Sequence, residues 1–145
     1  MKRFSFSLQS ILEYRSRLEN VLSVVLAAAQ VQSDEEKKVL DKWRLLQNDC
    51  QAELATKTVQ GMTIVERIHY QQYLDMIADS MRIQKQRIQE AFLRVEQARN
   101  KLMEVAQKKK VLERLKQNKF KDYQQDIDHW EQSFLDEISR NRLVR

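Results

Sequence analysis

The stretch YQQYLDMIADSMRIQKQRIQEAFLRVEQARNKLMEVAQKKKVL, residues 70–112, decides the fold. In it Leu74, Ile77, Met81, Ile88, Ala91, Val95, Ala98, Leu102, Val105 and Leu112 recur at alternating steps of four and three. That spacing holds one apolar stripe against a partner helix turn after turn. Gln84 and Lys109 stand in the same register as polar members, and Lys116 and Lys119 thin the stripe before it resumes at Tyr123, Ile127, Trp130 and Phe134. With no proline or glycine anywhere in it, the stretch reads as one helix.

Upstream, the same periodicity gives Leu8, Ile11, Leu18, Leu22, Val25, Ala29, Val39, Trp43, Leu46, Cys50 and Leu54, interrupted by Arg15, Gln32 and Glu36. Between the two stripes lies the chain's one glycine, Gly61, among Thr58, Val59 and Thr63, all poorer helix formers than the Lys, Glu and Gln around them. The chain is expected to bend over residues 56–63. Thr63 and Glu66 have capping-box spacing, which starts a second helix near Ile64. The reading is therefore all-α: one domain, residues 1–145, forming a long antiparallel two-helix coiled coil with helices at about 7–55 and 64–140. At 1.5 Å per residue these are about 70 Å and about 115 Å long. With the bend centred on residue 61, Leu8 is expected opposite the neighbourhood of Arg114, and everything after Lys116 overhangs. That overhang carries Phe120, Tyr123, Ile127, Trp130, Phe134, Leu135 and Ile138, an apolar load that calls for a partner.

Composition agrees with a thin core: 42% hydrophobic, 32% charged, mean hydropathy -0.67 and no proline. The net charge of +5 is the difference between 26 basic and 21 acidic residues, so most charges can pair along helix faces, and a nucleic-acid binder is usually more lopsided. The exception is local. Residues 101–121 hold eight basic and two acidic groups, whereas residues 122–137 hold six acidic groups and no Lys or Arg. A nucleic acid could follow the first stretch but not the second, which favours a protein partner. Cys50 is the only cysteine, which excludes an intramolecular disulfide and fits a reducing compartment such as the cytoplasm. Lys2 and Arg3 followed by Val21–Ala29, apolar apart from Ser23, is not read as a signal peptide, because the lead-in is too long and contains Glu13 and Glu19. No apolar run reaches the roughly 18 residues of a membrane span.

Catalytic chemistry finds no footing. His69 and His129 lie far apart, neither with a second ligand at helical spacing, so no metal site is expected. There is no Gly-rich phosphate loop and no nucleophile elbow, and a two-helix hairpin offers little concavity. No cofactor is expected. Around the bend, Trp43, Leu46, Tyr70, Tyr73 and Ile77 exceed the two apolar positions per heptad that one seam absorbs, so some of them should face outward as interface anchors.

The opening Phe4, Ser5, Phe6, Ser7, Leu8, Gln9, Ser10, Ile11, Leu12, Glu13, Tyr14, Arg15 resembles the F-x-F-x-L-x-x-[IVL]-L-x-[LY]-R start of the FliJ family, the soluble coiled-coil component of flagellar type III export. Leu112, Glu113, Arg114, Leu115, Lys116, and later Leu135, Asp136, Glu137, Ile138, resemble the family's L-E-x-L-K and L-D-E-[IL] blocks, and Tyr70 to Tyr73 its Y-Q-Q-[FY]. The resemblance implies a cytoplasmic protein, peripherally associated with the export apparatus at the inner membrane and similar in shape to the central stalk subunit of rotary ATPases. It implies that the terminal segments enter the ring of the export ATPase FliI, that the remainder contacts the export gate protein FlhA, and that export chaperones are also bound. Carried onto this chain, the ATPase contact would fall on Phe4, Phe6, Leu8, Ile11, Leu12, Arg15, Leu112, Leu115, Lys116, Tyr123 and Trp130. The gate contact would fall on Trp43, Leu46, Tyr70, Tyr73 and Ile77. Two other readings stand beside this one: a structural coiled coil that dimerises through the overhang, and a nucleic-acid binder acting through Lys108 to Lys121.

Overall fold

The computed structural model describes residues 3–143; Met1 and Lys2, the latter one of the two opening basic residues, lie outside the described residues. Two helices account for nearly all of it, α1 over Gln9–Gln60 and α2 over Ile64–Leu143, packed against each other, with no strand among the described residues. The chain divides into two compact units. One, here the terminal unit, gathers Met1–Val21 and Met103–Arg145; the other, the bend unit, is Leu22–Leu102.

The bend is tighter than the sequence suggests, occupying only Gly61–Thr63. α1 runs on through Thr56 and Thr58 because each hydroxyl donates back to the carbonyl four residues earlier, Thr56 Oγ1 to Ala52 O at 3.1 Å and Thr58 Oγ1 to Leu54 O at 2.7 Å. Local hydrogen bonds thus offset low helix propensity. Gly61 then ends α1 with φ at +101°, a conformation in which any other residue would be strained. Thr63 starts α2: its Oγ1 accepts from the Glu66 amide at 3.2 Å, and its carbonyl from the Arg67 amide at 3.1 Å.

Within the bend unit, Glu53 meets Tyr70 while Glu36 meets Gln84, so the helices run antiparallel. Burial along α2 follows the expected seam. Ile77, Gln84, Ala91, Val95 and Ala98 are buried, and Leu74, Met81, Ile88 and Leu102 half-buried. Along α1 only one of the two seam positions per heptad is as expected: Leu22, Ala29, Glu36, Trp43 and Cys50 turn inward. The alternate position lies one residue later, at Leu26, Ser33, Leu40 and Gln47, while Val25, Val39 and Leu46 are exposed; Leu54 turns inward as expected. The correction has a simple cause. Steps of three-then-four and four-then-three share every other residue, and both ladders on α1 carry apolar side chains, so only contact with α2 selects between them. Gln84, the polar member of the α2 seam, is satisfied there. Its Nε2 donates to the Glu36 carbonyl at 2.8 Å and to the Glu36 carboxylate.

In the terminal unit the pairing is again antiparallel. Lys109 Nζ lies 3.5 Å from Glu19 and 3.8 Å from Glu113, so the seam's charged intruder is neutralised across the helix pair and along its own helix. Before α1 begins, residues 3–6 are non-helical, and Phe4 packs against Phe120 and Tyr123 at centroid distances of 5.1 and 5.5 Å. This corrects the expected register at the ends. Extended chain advances about 3.3 Å per residue against 1.5 Å in a helix, so the short leader reaches past Lys116. Tyr123 is therefore half-buried, as is Ile127, and Phe120 is in contact with Phe4 while staying exposed; beyond them the uncovered helix carries Trp130, Phe134, Leu135 and Ile138.

Candidate interaction surfaces

The candidate sites are surfaces, and the residues expected to form them fall into three states of burial. In the terminal unit Leu12 is buried beneath its neighbours. Phe4, Phe6, Leu8, Arg15, Leu112, Lys116 and Tyr123 are half-buried along the seam, and only Ile11, Leu115 and Trp130 face outward. Arg15 has its Nε enclosed without a hydrogen-bond partner, an arrangement native proteins seldom tolerate without a use for it. The structure brings Phe4 and Tyr123 into direct contact, joining the two expected terminal blocks.

Several outward apolar residues of this unit escaped the sequence reading as contacts. Tyr14 is 59% exposed and Val111 66% exposed. The signal was present in the second ladder, since Ile11 and Tyr14 repeat the steps of the α1 seam beside it. Two heptads on, the equivalents of Ile11, Tyr14, Val111 and Leu115 are Val25, Ala28, Gln97 and Lys101, which together line one shallow groove of the bend unit. The same register sets Ile11, Tyr14, Val111 and Leu115 on one side of the helix pair in the terminal unit. Past them Trp130 stacks on Phe134 at 5.6 Å with ring planes 9° apart, as one-turn neighbours on an open helix.

In the bend unit, Leu46 and Tyr73 are exposed, and Trp43 and Tyr70 half-buried. Ile77 is 0% exposed, so its side chain packs under the surface rather than presenting one. Tyr70 is anchored twice over. Its hydroxyl donates to Glu53 Oε1 at 2.9 Å, and the Lys57 ammonium sits 5.3 Å from its ring centroid. The neighbouring Tyr70, more than any other group, holds the Lys57 ammonium above its usual range. Cys50 lies buried one turn from Glu53; burial first, and the Glu53 carboxylate second, push its thiol up from the usual value.

Of the basic stretch, Lys108 pairs with Glu104 at 3.0 Å and Lys109 with Glu19 and Glu113. Among the described residues, no three His, Cys, Asp or Glu are gathered where a metal ion could be held, and no helix is long and apolar enough to cross a membrane. His69 and His129 are both exposed.

Compared with known proteins, residues 4–145 match the family model described as Flagellar FliJ protein. No curated protein and no solved structure matches the chain.

Proposed function

The chain belongs to the FliJ family of flagellar proteins, non-catalytic coiled-coil components of flagellar export, and from that premise we propose that it acts as a stalk-like activator of the export ATPase FliI. In this reading the terminal unit enters the ATPase ring. The bend unit contacts the export gate protein FlhA, export chaperones dock on the exposed helix faces, and the protein works at the cytoplasmic side of the inner membrane. The observation that carries the reading is the Phe4 ring packed on Phe120 and Tyr123. It ties the leader to α2, so the two terminal blocks offer one contact surface. Ile11, Leu115 and Trp130 supply the outward apolar groups of that surface, Arg15 and Lys116 its charged edge, and Phe6, Leu8, Leu12 and Leu112 the packing beneath. On the bend unit Leu46 and Tyr73 are the outward anchors for the gate, backed by Trp43 and Tyr70, with Ile77 as support.

The test is the hydrolysis rate of the purified FliI hexamer with and without this chain, set beside the quadruple variant Ile11→Ala, Leu115→Ala, Arg15→Glu, Lys116→Glu. Stimulation by the native chain that disappears with the variant, at unchanged helical content, supports the reading. Equal rates with and without the native chain would refute it. For the gate, a Leu46→Ala, Tyr73→Ala variant should lose capture by FlhA while still stimulating the ATPase.

A further inference from the structure

The uncovered end of α2 lies directly beside a block of the opposite charge. Residues 108–121 carry Lys108, Lys109, Lys110, Arg114, Lys116, Lys119 and Lys121 against one acid, Glu113, while residues 122–137 carry six acids and no Lys or Arg. Elsewhere the chain interleaves its charges, and Arg44 with Asp41 and Arg99 with Glu96 pair one turn apart. Here it does not. Among the described residues none of the six acids forms an ion pair, and neither do Lys110, Arg114, Lys116, Lys119 or Lys121. Segregated into blocks along one helix, these charges are out of each other's i,i+4 reach except at the junction.

Each block also has apolar surface beside it. Trp130, Phe134, Leu135 and Ile138 are open in and beside the acidic region, and Val111, Leu115, Ile11 and Tyr14 are open in the same unit as the basic one, at the heptad equivalents of residues that line one groove of the bend unit. Two overhangs laid face to face would set acid against acid. Laid antiparallel about a two-fold axis near Lys121 and Asp122, two chains instead place each acidic block beside the other's basic block, twice over, as a closed isologous contact requires.

We propose that the terminal unit binds a second copy of this chain in this way, the acidic overhang of each copy covering the Ile11, Tyr14, Val111 and Leu115 surface of the other. Apolar burial supplies the association and the charge blocks set its direction and register. The contact does not depend on the ATPase reading. It covers part of the same surface, however, so paired copies and ring-bound copies exclude each other.

The experiment is sedimentation equilibrium of the full chain at low salt over a wide concentration range. One variant reverses the overhang (Asp126→Lys, Asp128→Lys, Glu131→Lys), and a second reverses the basic block (Lys110→Glu, Arg114→Glu, Lys119→Glu). The native chain is expected to dimerise and each reversed variant alone to stay monomeric, because the reversed block then carries no net charge and sets like charges together at the three reversed positions. An equal mixture of the two is expected to regain the dimer, since both contacts become complementary again. Trp130→Ala with Phe134→Ala should weaken the native dimer by roughly tenfold or more, with helical content by circular dichroism unchanged. A native chain that stays monomeric throughout, or a mixture that stays monomeric when the native chain dimerises, overturns the proposal.

Discussion

Gln84 reaches across the helix pair to the backbone of Glu36, its Nε2 2.8 Å from a carbonyl forty-eight residues away. A polar side chain at a seam position fixes which turn of one helix meets which turn of the other, because sliding by a turn would strand the amide among apolar neighbours. Gln84→Ala is expected to destabilise the protein by about 1–3 kcal/mol in urea unfolding, since it removes both a buried hydrogen bond and its packing. Combining it with Glu36→Ala should give clear non-additivity from the carboxylate contact, while the carbonyl contact escapes the cycle.

Ile77 and Tyr73 sit one turn apart on α2 with opposite fates, one enclosed and the other open. Ile77→Ala should lower stability by about 2–5 kcal/mol through the cavity it leaves. Tyr73→Ala should change stability by no more than about 0.5 kcal/mol, as an exposed site. Thermal melting of the two variants separates the supporting residue from the contact residue before any partner is added.

Gly61 holds φ at +101° with nothing within 4 Å of where a Cβ would stand. Gly61→Ala therefore meets no clash, and its penalty is conformational alone, about 1–2 kcal/mol. Gly61→Asn should recover part of that loss, because Asn tolerates left-handed backbone better than Ala. A Tm order of native, Asn, Ala checks it.

Burial and Glu53 both raise the Cys50 thiol's pKa. In the folded chain the thiol should react slowly with a disulfide reagent near pH 8, and unfolding in urea should accelerate it. The sign for stability follows from the same shift. The neutral thiol is favoured in the folded state, so its contribution is intact below the unfolded thiol's pKa of about 8.5 and is lost as pH rises from there through the raised folded value. Cys50→Ala should flatten that alkaline loss.

Phe4 tests the leader. Its rings' contacts with Phe120 and Tyr123 should each contribute about 0.5–1.5 kcal/mol beyond burial, measurable as the coupling in a Phe4→Ala, Phe120→Ala cycle.

The helical class and the start of α2 at Ile64 were legible because they rest on local features: a sustained period, a lone glycine and a Thr–Glu cap. The α2 seam was legible for the same reason. What escaped depended on the partner helix of the pair. Leu40 and Val39 are equally good candidates in isolation, and only the packed neighbour buries the first and leaves the second open. Phe4 was invisible as a packing residue because no periodicity runs through a non-helical leader. Its contact with Phe120 in turn misplaced the expected edge of the overhang. Tyr14 and Val111, outward on both helices, were missed because heptad counting looks for what is inside.

The three-residue connection Gly61–Thr63 also dictates an order of assembly. Glu53 and Tyr70 are separated by 17 residues and Glu36 and Gln84 by 48, whereas Phe4 and Phe120 stand near opposite ends of the sequence. Loop-closure entropy rises with each such separation, so the chain zips from Gly61 outward and the Phe4 cluster closes last. By the same token it is the first to open. The leader can peel from α2 and re-dock without unravelling Ile77 or Gln84, which gives this end of the protein a hinge at little thermodynamic expense to the rest.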